Sequence, residues 1–169
     1  VILVLIFTLG GGIDKIAQLT QFSNYPISSE VGLIIVYSLI SSALGLPLSY
    51  YSTFKIEQAF GFNKMTLGLF IKDLIKGTLL GMIIGVPLLY LVMWLMNSLG
   101  ATWWLWVWGV MVIFNLLILT IYPTFIAPLF NKFTPLEDLE LKARIETLLS
   151  ECGFKSQGVF VMDGSKRSS

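Results

Sequence analysis

Two long intervals of the chain, residues 31–54 and 77–131, carry no charge, and the apolar residues crowd into them. A membrane-spanning helix needs about 20 apolar residues, so the first interval predicts one crossing and the second predicts two. The second interval breaks where Asn97, Ser98 and Gly100 supply turn chemistry. Helices that cross the bilayer are therefore expected at about 31–53, 77–97 and 102–126, with the tail of another at 1–9. Residues 10–30, polar and Gly-rich, are expected to form a loop.

Loop charge sets the orientation. Residues 55–76 hold Lys55, Lys64, Lys72 and Lys76 against Glu57 and Asp73, and cytoplasmic loops gather Lys and Arg. That loop is expected to face the cytoplasm, as is everything after about residue 130, two crossings later. Trp103, Trp104, Trp106 and Trp108 then fall at the opposite interface, where amphipathic rings are favoured. Within the basic loop, Leu67, Phe70, Ile71, Leu74 and Ile75 follow a helical period behind a capping Thr66, with Lys72, Asp73 and Lys76 on the other face. This predicts an interfacial helix at about 66–76 that runs into the next span.

That span opens with Gly77, Gly81 and Gly85, a smooth stripe that reads as a surface for close helix packing rather than a ligand site. Pro47 and Pro87 are expected to kink their helices. Asn115, a lone amide in mid-span, is expected to hydrogen-bond a neighbouring helix; a water-filled pathway is the other reading.

Beyond the last span, prolines at 123, 128 and 135 lead the chain out. Thr134 as N-cap, Pro135 at the first helical position and Glu137 three residues on form a capping-box signature. The helix it predicts carries a stripe of Leu141, Ile145, Leu148, Leu149 and Cys152, expected to be buried, and stops at Gly153. A strand over 158–162 with an Asp163–Gly164 turn follows. Helix, strand and turn are the beginning of a soluble α/β or α+β domain, and about 35 residues bury no core alone. With Val1 in place of an initiator Met, the chain reads as a piece from the middle of a longer protein.

Composition agrees and excludes much chemistry. Apolar residues make up 56% and charged residues 12%, with a mean hydropathy of +0.82, against about 25% charge in soluble domains. This is an integral membrane protein whose first partner is the lipid bilayer. A net charge of +1 without a large basic patch gives no reason to expect nucleic acid. The sequence has no histidine, which removes a Ser-His triad and any His-liganded zinc centre from these residues. Cys152 is the single cysteine, read as a small buried apolar residue.

Three separated segments carry a resemblance: EQAFGFNKMT with LFIKDLIKG (57–66 and 69–77), YPTFIAPLFNKFTPL (122–136) and GFKSQGVFVMDGSKRSS (153–169). In this order and flanked by these spans, they resemble the integral-membrane zinc metallopeptidases of the CAAX prenyl protease 1 type. The first 50 residues agree in hydropathy only. The resemblance implies a mainly α fold: a polytopic transmembrane helical bundle over 1–130, then the incomplete start of a cytoplasmic metallopeptidase domain over 131–169. It further implies a His-Ser-Asn segment after this point, then a helix bearing HExxH. Its two histidines and a later Glu bind zinc, and the Glu between them activates water.

None of those residues is present here, so no catalytic or metal residue is carried over, and substrate-binding residues stay open. By resemblance the whole protein would hydrolyse peptide bonds of prenylated CAAX proteins or other membrane-associated proteins, with zinc in the parent and none bound by this chain. Lys166 and Arg167 lie nearest to where the active-site domain would continue, and read as an ordinary solvated turn. The short non-cytoplasmic connection suits a bacterial inner membrane, with the endoplasmic reticulum or nuclear membrane as the eukaryotic alternative. The competing reading is a non-catalytic membrane scaffold or assembly subunit. A small transporter is disfavoured, because the spans hold no charged residue and no internal repeat.

Overall fold

The computed structural model describes residues 2–21, 25–154 and 158–167. Parts of the resembling C-terminal segment, 155–157 and 168–169, lie outside the described residues, as do Val1 and residues 22–24 of the expected loop. The protein is mostly helical, with little strand. Among the described residues, three apolar helical stretches have membrane length: Pro26–Glu57, Leu67–Ser98 and Gly100–Phe130, of 32, 32 and 31 residues. At about 1.5 Å per residue each is near 48 Å long, more than the roughly 30 Å of hydrocarbon, so each projects beyond the bilayer core.

The chain opens with α1 (Ile2–Phe7), a wide turn over Thr8–Gly12 and α2 (Ile13–Leu19). Much of the expected loop is thus helical. Ile13, Ile16, Ala17 and Thr20 recur at helical spacing, Ile16 and Thr20 are buried, and α2 packs on α3 (Pro26–Tyr51). The glycines before it hide this short stripe from a hydropathy reading. Val31 of α3 is the most deeply buried apolar side chain described, at 1% exposure. Elsewhere the long helices turn many of their Leu, Ile and Trp side chains outward, which a lipid solvent rewards.

Helix α4 (Leu67–Ser98) runs antiparallel to α3, with the Tyr90 hydroxyl donating to Ser28 Oγ at 3.1 Å. It begins at Thr66 as expected: the hydroxyl accepts the Leu69 amide at 3.3 Å. It then runs unbroken to Ser98, so the expected interfacial helix is the projecting first turns of the span itself. Gly77, at the expected joint, lies inside the helix and takes no positive φ, so the chain does not turn there. Pro47 and Pro87 both lie inside unbroken helices. The turn at Gly100 uses a positive φ of 55°, which a glycine adopts without strain. Helix α5 (Trp103–Ile121) returns the chain to the lysine end, and a wide turn over Tyr122–Ile126 leads into α6 (Ala127–Phe130).

After α6 the expectation fails instructively. Thr134 and Pro135 cap no helix; they lie in strand β1 (Phe133–Pro135), antiparallel to β2 (Phe160–Met162) with Phe133 opposite Met162 and Pro135 opposite Phe160. Proline is tolerated in such a two-stranded ribbon because it has an open edge. The helix starts later, as α7 (Leu139–Glu151), on Asp138, whose carboxylate accepts the Leu141 amide at 2.9 Å. Gly153, at φ +73°, ends it as expected. The stripe on α7 is not buried: Leu141, Leu148 and Cys152 are exposed and Ile145 and Leu149 half-buried, because no other described element covers that face.

Candidate functional site

The densest polar construction forms where the lysine end of α4 meets the chain emerging from α6. Asp73 lies four residues before Gly77 and eight before Gly81, so it heads the glycine stripe on one helix face. It does not point to open water as the amphipathic pattern suggested: its side chain is 19% exposed and that of Arg167 21%. Arg167 Nε donates to Asp73 Oδ2 at 2.7 Å and Nη2 to Oδ1 at 3.1 Å, a bidentate fork. Nη1 donates to Asn131 Oδ1 and Nη2 to the Phe130 carbonyl, both at 2.6 Å. The hydrogen bonds to Asp73 hold the Arg167 pKa above its ordinary value, so its charge is permanent.

Other bonds close the junction. The Lys64 amide donates to the Arg167 carbonyl at 3.2 Å, and the Lys76 ammonium donates to the Leu129 carbonyl at 2.8 Å. Asp163 accepts the Lys132 amide at 2.7 Å while its own amide donates to the Lys132 carbonyl at 3.2 Å. No hairpin turn forms at Asp163–Gly164; a short 3₁₀ turn, Gly164–Lys166, follows β2 and aims Arg167 inward. Lys166 bonds to Asp163 at 2.7 Å with its side chain 64% exposed. The bond to Lys166, then the one from Lys132, holds the Asp163 carboxyl below its usual pKa. The solvated-turn reading therefore fits Lys166 and is wrong for Arg167, which ties four segments together.

Below Asp73, a groove of about 520 Å³ runs between α3 and α4, lined by Ile35, Ser38, Ser42, Gly77, Gly81 and Gly85 among others. A Cβ added at any of the three glycines would meet nothing within 4 Å. Among the described residues the stripe floors an open groove, so the helix expected to pack on it is not one of those described. Asn115 also departs from expectation: its amide donates to Met111 of its own helix at 2.8 Å and the residue is exposed. A mid-helix amide can always reach the carbonyl one turn back.

At the junction the Asp73 and Asp163 carboxylates are taken up in hydrogen bonds that fix position. Among the described residues no three of His, Cys, Asp and Glu come together to hold a metal ion. Sequence reasoning missed Asp73, Asn131 and Asp163; the one available signal was the four-residue spacing from Asp73 to the glycines.

Comparison with known proteins adds the lineage. The family model described as the CAAX prenyl protease N-terminal region, with five membrane helices, matches residues 1–132. The chain is 47% identical over 129 residues to the CAAX prenyl protease 1 homolog of Arabidopsis thaliana, covering 76% of this chain and 30% of that protein. It is 47% identical over 143 residues to CAAX prenyl protease 1 of Saccharomyces cerevisiae, covering 85% and 32%. The Homo sapiens homolog is 39% identical over 146 residues, covering 86% and 31%. The crystal structure of S. mikatae Ste24p superposes with a TM-score of 0.88 at 39% identity, covering 97% of this chain and 39% of that one. The chain thus spans about a third of the length of these curated relatives.

Proposed function

The chain belongs to the CAAX prenyl protease 1 family, and on that premise we propose that the whole protein is a membrane-embedded zinc metalloendopeptidase. Its substrates are prenylated CAAX proteins or other membrane-associated proteins, cut by metal-assisted hydrolysis. The residues of this chain do not fit a zinc centre: histidine is absent and the single cysteine is exposed. Their role is scaffold, with no catalytic or metal residue among them.

The observation that carries this reading is the Asp73–Arg167 junction. A peptidase domain that acts on membrane-bound substrate must be held rigidly against the bundle. Arg167 locks β2 and the turn after it to the first turns of α4 and the end of α6. Residues 1–130 form the membrane region and 131–169 the start of the peptidase domain on the cytoplasmic side, supported by the lysines gathered at that end. Relatives from a plant, a yeast and a human favour the endoplasmic reticulum or nuclear membrane over a bacterial inner membrane.

The test is the product of the intact gene, purified in detergent. It is expected to hold about one zinc per chain, in a centre of three protein ligands with one position open to water, and to cleave a prenylated CAAX peptide. A chelator abolishes cleavage and added zinc restores it. The 169-residue chain alone is expected to cut nothing. A full-length protein without zinc or cleavage would leave the scaffold reading in its place.

A further inference from the structure

A second cavity, about 700 Å³, lies beside the junction where the third membrane-length helix ends. Pro123, Pro128, Phe133 and Phe160 supply its apolar walls, and Thr124 and Lys132 its polar rim. Asn131 also reaches it, with its side-chain oxygen already engaged by Arg167. Exposed Tyr122 and Phe125 flank it on the wide turn, the aromatic signature of a headgroup boundary.

Charge decides what the cavity suits. Three acids at this end of the fold are already committed. Asp163 is bonded to the Lys132 backbone and to Lys166, Asp73 to Arg167, and Asp138 to the α7 cap. The Lys132 ammonium therefore has no carboxylate partner among the described residues, and neither do Lys64 and Lys72 on the adjoining loop and helix. A lysine without an ion-pair partner, lining a proline- and phenylalanine-walled pocket at the end of a membrane helix, complements a molecule with an anionic head and an apolar body. A bilayer presents such molecules at that depth at very high local concentration.

We propose that this cavity binds an anionic glycerophospholipid, with its phosphate at Lys132 and Thr124 and the start of its acyl chains against Pro123, Pro128, Phe133 and Phe160. Lys64 and Lys72 add longer-range attraction to the same leaflet. The proposal rests on the lining and charge of this cavity and does not depend on the protease reading.

The test reconstitutes the full-length protein in nanodiscs of phosphatidylcholine, alone or doped with phosphatidylserine, then extracts it gently and counts retained lipid by native mass spectrometry. One phosphatidylserine per chain is expected to survive extraction in preference to phosphatidylcholine. Lys132→Gln is expected to lower that retention about fivefold, one lysine's share of attraction to an anionic leaflet. Lys142→Gln, on the exposed face of α7, leaves it unchanged. Because Lys132 is a surface side chain, the variant keeps the thermal midpoint of the parent in phosphatidylcholine. Equal retention of both lipids, or undiminished retention in Lys132→Gln, overturns the proposal. Displacement of the lipid by water-soluble glycerophosphate at equal concentration would assign the site to free phosphate and overturn it as well.

Discussion

Removing the Arg167 side chain should release the β-ribbon from the membrane bundle. Arg167→Ala strips four charge-assisted hydrogen bonds and leaves Asp73, the Phe130 carbonyl and Asn131 Oδ1 facing a site only one-fifth exposed. An exposed ion pair would cost about 0–1 kcal/mol to lose, and a fully buried one broken on one side about 3–5 kcal/mol. Partial burial with water still reaching Asp73 puts the loss near 2 kcal/mol, between those limits. Because about 1.4 kcal/mol is a factor of ten, local opening should become roughly 30-fold more frequent.

Hydrogen exchange reads that opening directly. The Lys64 and Asp163 amides, which donate to Arg167 and Lys132, should exchange about 30-fold faster. The Lys142 amide, in the first turn of α7 and bonded to Asp138, should not change. Arg167→Lys keeps the charge but loses the fork and should recover only about half of the free energy. A double-mutant cycle with Asp73→Asn should show about 1 kcal/mol of coupling or more. Exchange at Lys64 and Asp163 that stays within about twofold of the parent in Arg167→Ala would refute the reasoning, because the ribbon would then be held by its own ladder.

Four further outcomes follow from the same geometry. Asp138→Ala should cost about 1 kcal/mol at the start of α7, read as faster exchange of the Leu141 amide, whereas Thr134→Ala should leave α7 untouched; the reverse result would restore the capping box at Thr134. Gly81→Ala should be accepted, adding up to about 1 kcal/mol of helix stability, since its Cβ meets open space; a lowered thermal midpoint would show a further helix seated on the stripe. The Asp163 carboxyl has a folded pKa below its unfolded one, so its stabilisation is present above about pH 4, the unfolded carboxylate range. It disappears as pH falls through the lower folded value: protection of the Lys132 amide should hold from pH 7 to about 5 and fail only below about 4, and a loss near neutrality would contradict this. Asp163→Asn should remove that acid sensitivity while keeping an acceptor for the Lys132 amide.

Features that depend on one dimension can be read directly from the residues. Spans can be read from charge-free length because the bilayer demands about 20 apolar residues with every backbone group satisfied internally. Thr66, Gly100 and Gly153 were legible because caps and turns are local. The lineage was legible in three short segments. What failed was whatever needed a distant partner. Asp73 and Arg167 lie 94 residues apart, and a pattern that puts Asp73 on a polar face cannot say that an arginine will cover it. Thr134 and Pro135 carry a good local helix signal that lost to a strand partner some 25 residues on, because ladder bonds to β2 outcompete one cap. Nor could spacing tell whether the glycine stripe meets a helix or an open groove. Local free energies along a chain are additive and visible in sequence. Pairing across the fold is decided only when the three-dimensional arrangement selects which polar groups share the same small volume.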